Sequence, residues 1–265
     1  MCNAGLIPER TQDPKRAFHL WSADGAVILV TNRTDAGGML AGVQDVFGPR
    51  ILVRQSPTTV ASSTTPGHDA AASPHIDGYM SFGDYYPDLV FLLCERQAIA
   101  GGESYIVDGQ RLLSAIAGDP SQRALSRFLW EVKLEQGRPA WVGSPKPVPS
   151  RRPVASRTCG GRLTVRRHEH QRVLDDAPPR PEDGQHLATW ERRAEAAGRA
   201  APRFLLQPGE LLCLDNYRVF HGQAPCIGQD RVLHKLWAWS DMAFGVPSFS
   251  DLAPVLHADV PEPSR

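Results

Sequence analysis

His75 and Asp77 stand two residues apart in the run SPHIDGYM. On extended backbone alternate side chains leave the same face, so an imidazole and a carboxylate at this spacing can reach one ion. A third donor must come from a distant part of the chain, and His221 in DNYRVFHG follows a strand-like run and precedes a glycine. Two imidazoles and one carboxylate on one side of an octahedron leave the opposite positions open, the arrangement of non-haem iron(II) oxygenases. His-x-Asp by itself is weak evidence, because Pro74 and Gly78 equally suit a surface turn carrying a hydrogen-bonded histidine. Other histidines compete. His168 and His170 share a strand face in an arginine-rich stretch that reads as solvated, and His234 lies in RVLHKLW, where packing accounts for it equally well. Asp215 and Asn216, at the start of the segment of His221, can orient a ligand through hydrogen bonds or simply form a tight turn.

Mainly β structure with flanking helices must position these residues. The stretch from Ala17 reads as a short helix, a turn at Asp24-Gly25 and a buried strand Ala26–Val30. Ala36–Phe47 has helical spacing and stops at Gly48-Pro49, and GQRLLSAIAGD is a helix ending at Gly118. PDLVFLLCERQA is the continuous apolar run of a central strand, and YIVDG is another strand. Ser56–Ala72 reads as a loop. GRLTVRRHEH is a strand candidate, and HLATWERRAEAAGR an exposed helix. After Arg203, closely spaced strands separated by Gly/Pro turns (FLLQ, LLCLD, RVFHG, RVLHKLWAW) suit a β-sandwich or jelly roll. They argue against a parallel doubly wound sheet, which needs helical crossovers.

The expected organisation is one domain over residues 1–265, with an irregular arginine-rich insert or lid at about 137–203. Twenty-nine basic residues balance 29 acidic ones, so no net field draws the chain to nucleic acid or an anionic membrane, and a small-molecule partner is expected. Self-association is left open. Cysteines at 2, 94, 159, 213 and 226 form no close pair, and Cys94 and Cys213 lie in apolar runs, which fits a reducing cytoplasm. The polar N-terminus lacks the apolar core of a signal peptide, and no stretch has the length of a membrane span.

Taken in order, SPHIDGYM, AGGESYIVDG, DNYRVFHG and DRVLHKLWAW, preceded by DGAVILV and Phe47-Gly48, resemble the TauD/TfdA superfamily of iron(II)/2-oxoglutarate-dependent dioxygenases over roughly residues 17–245. The resemblance implies a double-stranded β-helix, or jelly roll. It implies Fe(II), 2-oxoglutarate and O2 as cofactor and cosubstrates, with decarboxylation to succinate and CO2 coupled to attack on an unactivated C–H bond. His75, Asp77 and His221 fall on the iron ligands, and Ser104 on the hydroxyl that binds 2-oxoglutarate. Arg231 and Lys235 fall on the basic positions after the distal histidine. A planar guanidinium suits two-pronged contact with a carboxylate, so Arg231 is the expected main partner of the cosubstrate. Lys235 departs from the arginine usual in taurine-type members. Related halogenases lack the carboxylate, and the presence of Asp77 favours hydroxylation, or another hydrogen-abstraction outcome such as desaturation, over halogenation. Two other classes stand beside this reading: a jelly-roll protein that binds iron and 2-oxoglutarate without turnover, and a zinc-dependent cupin-like hydrolase.

The expected substrate is a small polar metabolite: an amino acid, a betaine or a natural-product intermediate. Residues 150–203 include twelve arginines. Arg157, Arg162, Arg166 and Arg167 are candidates for binding an anionic substrate, against the plainer reading of a solvated surface. Tyr79, with Tyr85 and Tyr86, is a candidate pocket residue or core.

Overall fold

Asp13 opens the first helix, α1 (Pro14–Asp24), where its side chain accepts from the Lys15 N–H at 2.9 Å and Pro14 takes an early position that needs no N–H. Gly25, in the left-handed region at φ 80°, ends α1 and turns the chain straight into strand β1 (Ala26–Val30). Helix α2 (Ala36–Phe47), capped by Asp35, leads through a short 3-10 turn to β2 (Ile51–Arg54). Strand β3 (Thr58–Ala61) lies in the stretch expected to be loop, and β4 (Ala72–His75) carries the first histidine. Strand β5 (Leu89–Arg96), β6 (Ser104–Asp108), α3 (Gly109–Ala117), α4 (Arg123–Glu131) and α5 (Pro181–Ala200) follow. The chain closes with β7 (Glu210–Asp215), β8 (Val219–Gln223) and β9 (Val232–Ser240). The computed structural model describes residues 4–61, 71–136, 150–174, 180–227, 231–248 and 253–254. The part of the expected lid at 137–149 lies outside the described residues, as does most of the chain after Pro247.

Two sheets face each other. The larger runs Ala253–Pro254, β2, β9, β5, β7, β1, Arg10–Thr11, with β3 also on β9. The smaller runs Gly5–Leu6, β6, β8, β4. Every pairing in them is antiparallel except that of Arg10–Thr11 with β1. This is the expected jelly-roll pattern, and the doubly wound alternative is excluded. Ile28, Val90, Leu212, Leu214 and Leu233 of the larger sheet meet Ile106 and Val219 of the smaller one in an apolar layer between the sheets. The alternate residues Val27, Phe91, Leu211, Cys213 and Leu236 point outward and pack under α1 and α2. Each fully buried side chain of this size is worth about 1.5–3 kcal/mol.

Helices α3, α4 and α5 cover the outer face of the smaller sheet. Helix α5 is not the exposed helix its charge count predicts. Leu187, Trp190, Ala194 and Gly198 form a buried stripe at helical spacing, and Gly198 leaves no room for a side chain against Pro74 of β4. The strand expected over GRLTVRRHEH is confined to Leu163–Val165. His170 sits at φ 70°, and the backbone between them bends inward toward β4.

Candidate metal centre

Strand β4 lies beside β8 in a register that sets His75 directly opposite His221. Their rings stand 4.4 Å apart between centroids. Asp77 is not on the strand, which ends at His75. It lies in the bend that follows, ahead of Gly78 at φ 75°. The bend is held by Asn216, whose Oδ1 accepts from the Asp77 N–H at 2.9 Å while its Nδ2 donates to the Asp77 carbonyl at 3.0 Å and to the Pro87 carbonyl at 2.7 Å. Donor atoms of His75, Asp77 and His221 all fall within 4.8 Å of one another. His75 Nε2 is 3.7 Å from Asp77 Oδ1, and His221 Nε2 is 3.9 Å from Asp77 Oδ2.

The protonation states suit a cation. His75 Nδ1 lies 2.8 Å from the Ser73 carbonyl, which can only accept, so Nδ1 carries the proton and Nε2 turns a lone pair inward. Burial, reinforced by the neighbouring His75, lowers the His221 pKa to about 3. Burial pushes the Asp77 carboxyl upward. The Lys235 ammonium, at 3.8 Å, with the two neighbouring histidines, outweighs that and holds it well below the usual carboxylate range. Trp237 donates its indole N–H to Asp77 Oδ2 at 2.9 Å. An imidazole pair and a carboxylate so arranged fit a divalent transition metal of the iron(II) kind.

The profile described as "Taurine catabolism dioxygenase TauD, TfdA family" matches residues 17–237. The chain belongs to the TauD/TfdA family. No curated protein matches the sequence. Among solved structures, asparagine oxygenase in complex with Fe(II), 2S,3S-3-hydroxyasparagine and succinate is 17% identical, with 85% of this chain and 82% of that one covered and a TM-score of 0.58. AAD-2 in complex with Mn(II) and N-oxalylglycine is 15% identical over 94% and 92% of the two chains, at a TM-score of 0.61. The PvcB protein from Pseudomonas aeruginosa is 15% identical over 85% and 81%, at 0.56. At these identities the likeness shows the TauD/TfdA fold.

The residues that the TauD/TfdA motifs assign to the cosubstrate divide into two places. Ser104 opens β6 opposite Gln223 of β8, and Arg231 donates to the Gln223 side chain at 2.5 Å. Arg231 is buried, and its Nε has no hydrogen-bond partner among the described residues. Gly102 lies beside it, where a side chain would press on Arg231 and Cys226. Lys235 is elsewhere, next to Asp77 and 4.6 Å from the centroid of the Trp237 ring.

In the arginine-rich stretch, three of the four candidate arginines are engaged in buried pairs within the fold. Arg162 bridges Asp88 at 2.8 Å and Asp215 at 2.7 Å, and burial pushes the Asp88 carboxyl upward. Arg166 is fully buried and donates to Tyr79 Oη, to Ser150 and to the carbonyls of Arg152 and Pro153, which also commits Tyr79. Arg167 donates to the Pro74 carbonyl and to Glu195 of α5, while its own carbonyl accepts from the Ile76 N–H. It thus grips the chain on both sides of His75. Arg157 is exposed and bonds to the Gly161 carbonyl. Buried guanidinium groups so paired have few donors left for a substrate. Tyr86 is fully buried in an aromatic cluster with Tyr217, and Tyr85 is exposed.

Sequence reasoning missed Trp237 and Gln223, and it placed His168 on a solvated strand face. His168 is buried, its ring 6.0 Å from that of His75, and burial lowers its pKa to about 4. The signal for Trp237 was available: two residues beyond Lys235 on a strand, it shares that residue's face.

Proposed function

We propose that this protein is an Fe(II)/2-oxoglutarate-dependent oxygenase that hydroxylates an unactivated C–H bond of a small polar metabolite. The convergence of His75, Asp77 and His221, with their donor atoms within 4.8 Å, carries the reading. These three residues would hold iron(II). Iron(II) held there would activate O2, the oxidant, with 2-oxoglutarate as the co-reductant, the overall products being succinate, CO2 and a hydroxylated product. The rest is the work of the chain. Arg231, buried and with an Nε unpaired among the described residues, is suited to a carboxylate of 2-oxoglutarate, and Ser104 lies opposite the Gln223 to which Arg231 donates. Lys235, close to Asp77, offers a positive point charge at the metal end. Asn216 and Arg167 fix the backbone on either side of the ligands. N-oxalylglycine has the skeleton of 2-oxoglutarate, and the presence of it and of succinate in the related structures supports the cosubstrate. The asparagine oxygenase likeness favours an amino acid or a similarly sized metabolite.

Anaerobic reconstitution tests this. Fe(II) with 2-oxoglutarate is expected to give a weak charge-transfer band in the visible that is absent in His75→Ala, and Asp77→Ala is expected to lose substrate-coupled succinate. Turnover with zinc and without O2 or 2-oxoglutarate would replace the oxygenase with a hydrolase. Binding of both without succinate release, across amino acids and betaines, would favour a protein without turnover.

A further inference from the structure

We infer that Trp237 is a positioning residue that makes Asp77 bind its metal through one carboxylate oxygen, Oδ1. The inference rests on the metal-centre part of the reading above. Asp77 straddles the site, with Oδ1 toward His75 Nε2 at 3.7 Å and Oδ2 toward His221 Nε2 at 3.9 Å. From that posture a carboxylate can give a cation one oxygen or both. What separates the two oxygens is the indole. Trp237 Nε1 donates to Oδ2 at 2.9 Å, and the Lys235 ammonium lies 3.8 Å from the same atom. Oδ1 has no hydrogen bond from either.

The indole does not depend on Asp77 for its orientation. Trp237 lies within β9, opposite Val90 of β5, and its carbonyl accepts from the Gln55 N–H at 2.9 Å. Its ring meets the edge of Phe82 at 5.8 Å and 81°, and lies under the Lys235 ammonium. The Asp77 backbone is fixed independently by Asn216, so rotation of the side chain is the freedom left. A donor held in place by packing selects one rotation of the carboxylate. A hydrogen bond to an ionised oxygen shifts such a choice by roughly tenfold or more. The coordination position that Oδ2 would otherwise fill is thereby kept for ligands from outside the chain.

Mn(II) tests this without reference to the oxygenase reaction. In an octahedral site, binding through one carboxylate oxygen beside two imidazoles leaves three positions to water, and binding through both leaves two. Solvent-proton relaxation by Mn(II) bound to Trp237→Phe is therefore expected to fall by about a third from wild type, with Mn(II) affinity equal or tighter. Trp237→His, which restores a ring N–H, should recover the wild-type value. Lys235→Met, which keeps the indole, should retain it. Trp237 is only half-buried, and Trp237→Met read in the same way covers the case in which phenylalanine does not fold. Unchanged relaxation in a folded Trp237→Phe, or the same fall in Lys235→Met, overturns the inference. A wild type that binds Mn(II) but shows no 2-oxoglutarate band with Fe(II) loses the oxygenase and leaves Trp237 its role. A wild type that binds no divalent metal loses both.

Discussion

Replacing Asn216 by alanine should unfix the metal-binding bend before it affects anything else. Asn216 is 1% exposed and makes three hydrogen bonds through its side chain, two to the backbone of Asp77 and one to the Pro87 carbonyl. Truncation leaves one N–H and two carbonyls without their partner. Each buried orphan costs about 1–3 kcal/mol, and water entering the gap recovers part of it, so a net loss of about 3 kcal/mol is expected. In a chain of this size that is a fall in Tm of about 6–12 °C, measurable on the metal-free protein together with urea unfolding. Metal affinity should fall by about 10–100-fold, because the peptide that aims the carboxylate is released. Asn216→Asp separates the causes. It keeps the volume and the acceptor for the Asp77 N–H, but turns a carboxylate oxygen toward two carbonyl oxygens, and should lose at least as much stability. A loss under about 1 kcal/mol in Asn216→Ala, with metal affinity unchanged, would refute the argument that this side chain builds the site.

Three further outcomes follow from the geometry. Arg162→Met leaves the carboxylates of Asp88 and Asp215 facing each other in the interior and should destabilise the fold by about 3–5 kcal/mol in chemical denaturation, while a substrate KM that rose with stability unchanged would restore Arg162 to a binding role. Gly222→Ala places a methyl group on the Tyr105 ring and the Ala72 carbonyl, spreading β8 from β4; a loss of about 1–3 kcal/mol is expected in thermal melts, and a neutral effect would mean that the strands separate without cost. The metal-free protein should lose stability as pH falls. His221 and His168 titrate near 3 and 4 when folded and near 6.5 when unfolded, so below about pH 6.5 the unfolded chain binds more protons and each histidine removes up to about 1.4 kcal/mol per pH unit until its folded pKa is reached. Urea midpoints flat between pH 4.5 and 7 would contradict the burial of both rings.

The regular elements were legible where the residues themselves mark the boundaries. Asp24-Gly25 ends a helix because only a residue tolerant of positive φ closes it cheaply, and Ala36–Phe47 ends where Gly48-Pro49 cannot continue. His75, Asp77 and His221 could be read because a metal restricts its ligands to a few residue types. The reason they meet could not: two of them share a face through a bend held by Asn216, 139 residues away, and not through a continuous strand. The same distance hid the arginines. Arg162 finds its partners 74 and 53 residues away, so a local view sees only an unpaired charge run and assigns it to solvent. Helix α5 was misread for a different reason. Its buried stripe was visible at Leu187, Trp190, Ala194 and Gly198, but the arginines and glutamates of the other face dominated its composition.

Lys235 links the electrostatics of the site to its chemistry. A buried carboxylate between two imidazoles needs a positive charge nearby to remain ionised, since neutral rings offer it no compensating charge. In the metal-free chain that charge is the Lys235 ammonium, 3.8 Å from Oδ2. His221 is neutral at physiological pH because burial opposes its charged form, and the cation beside it adds to that opposition. One lysine therefore favours the ionised carboxylate and the neutral imidazole together, the two states that metal donors require, so little proton release need accompany metal uptake. A compact ammonium on a flexible stem can also move off when a divalent ion takes over the carboxylate, and can then meet an anion at the metal. An arginine, rigid and with its fork directed at one partner, would hold the carboxylate more firmly and yield it less readily. A lysine at position 235 can therefore keep Asp77 ionised in the metal-free chain and still release it more readily than an arginine would.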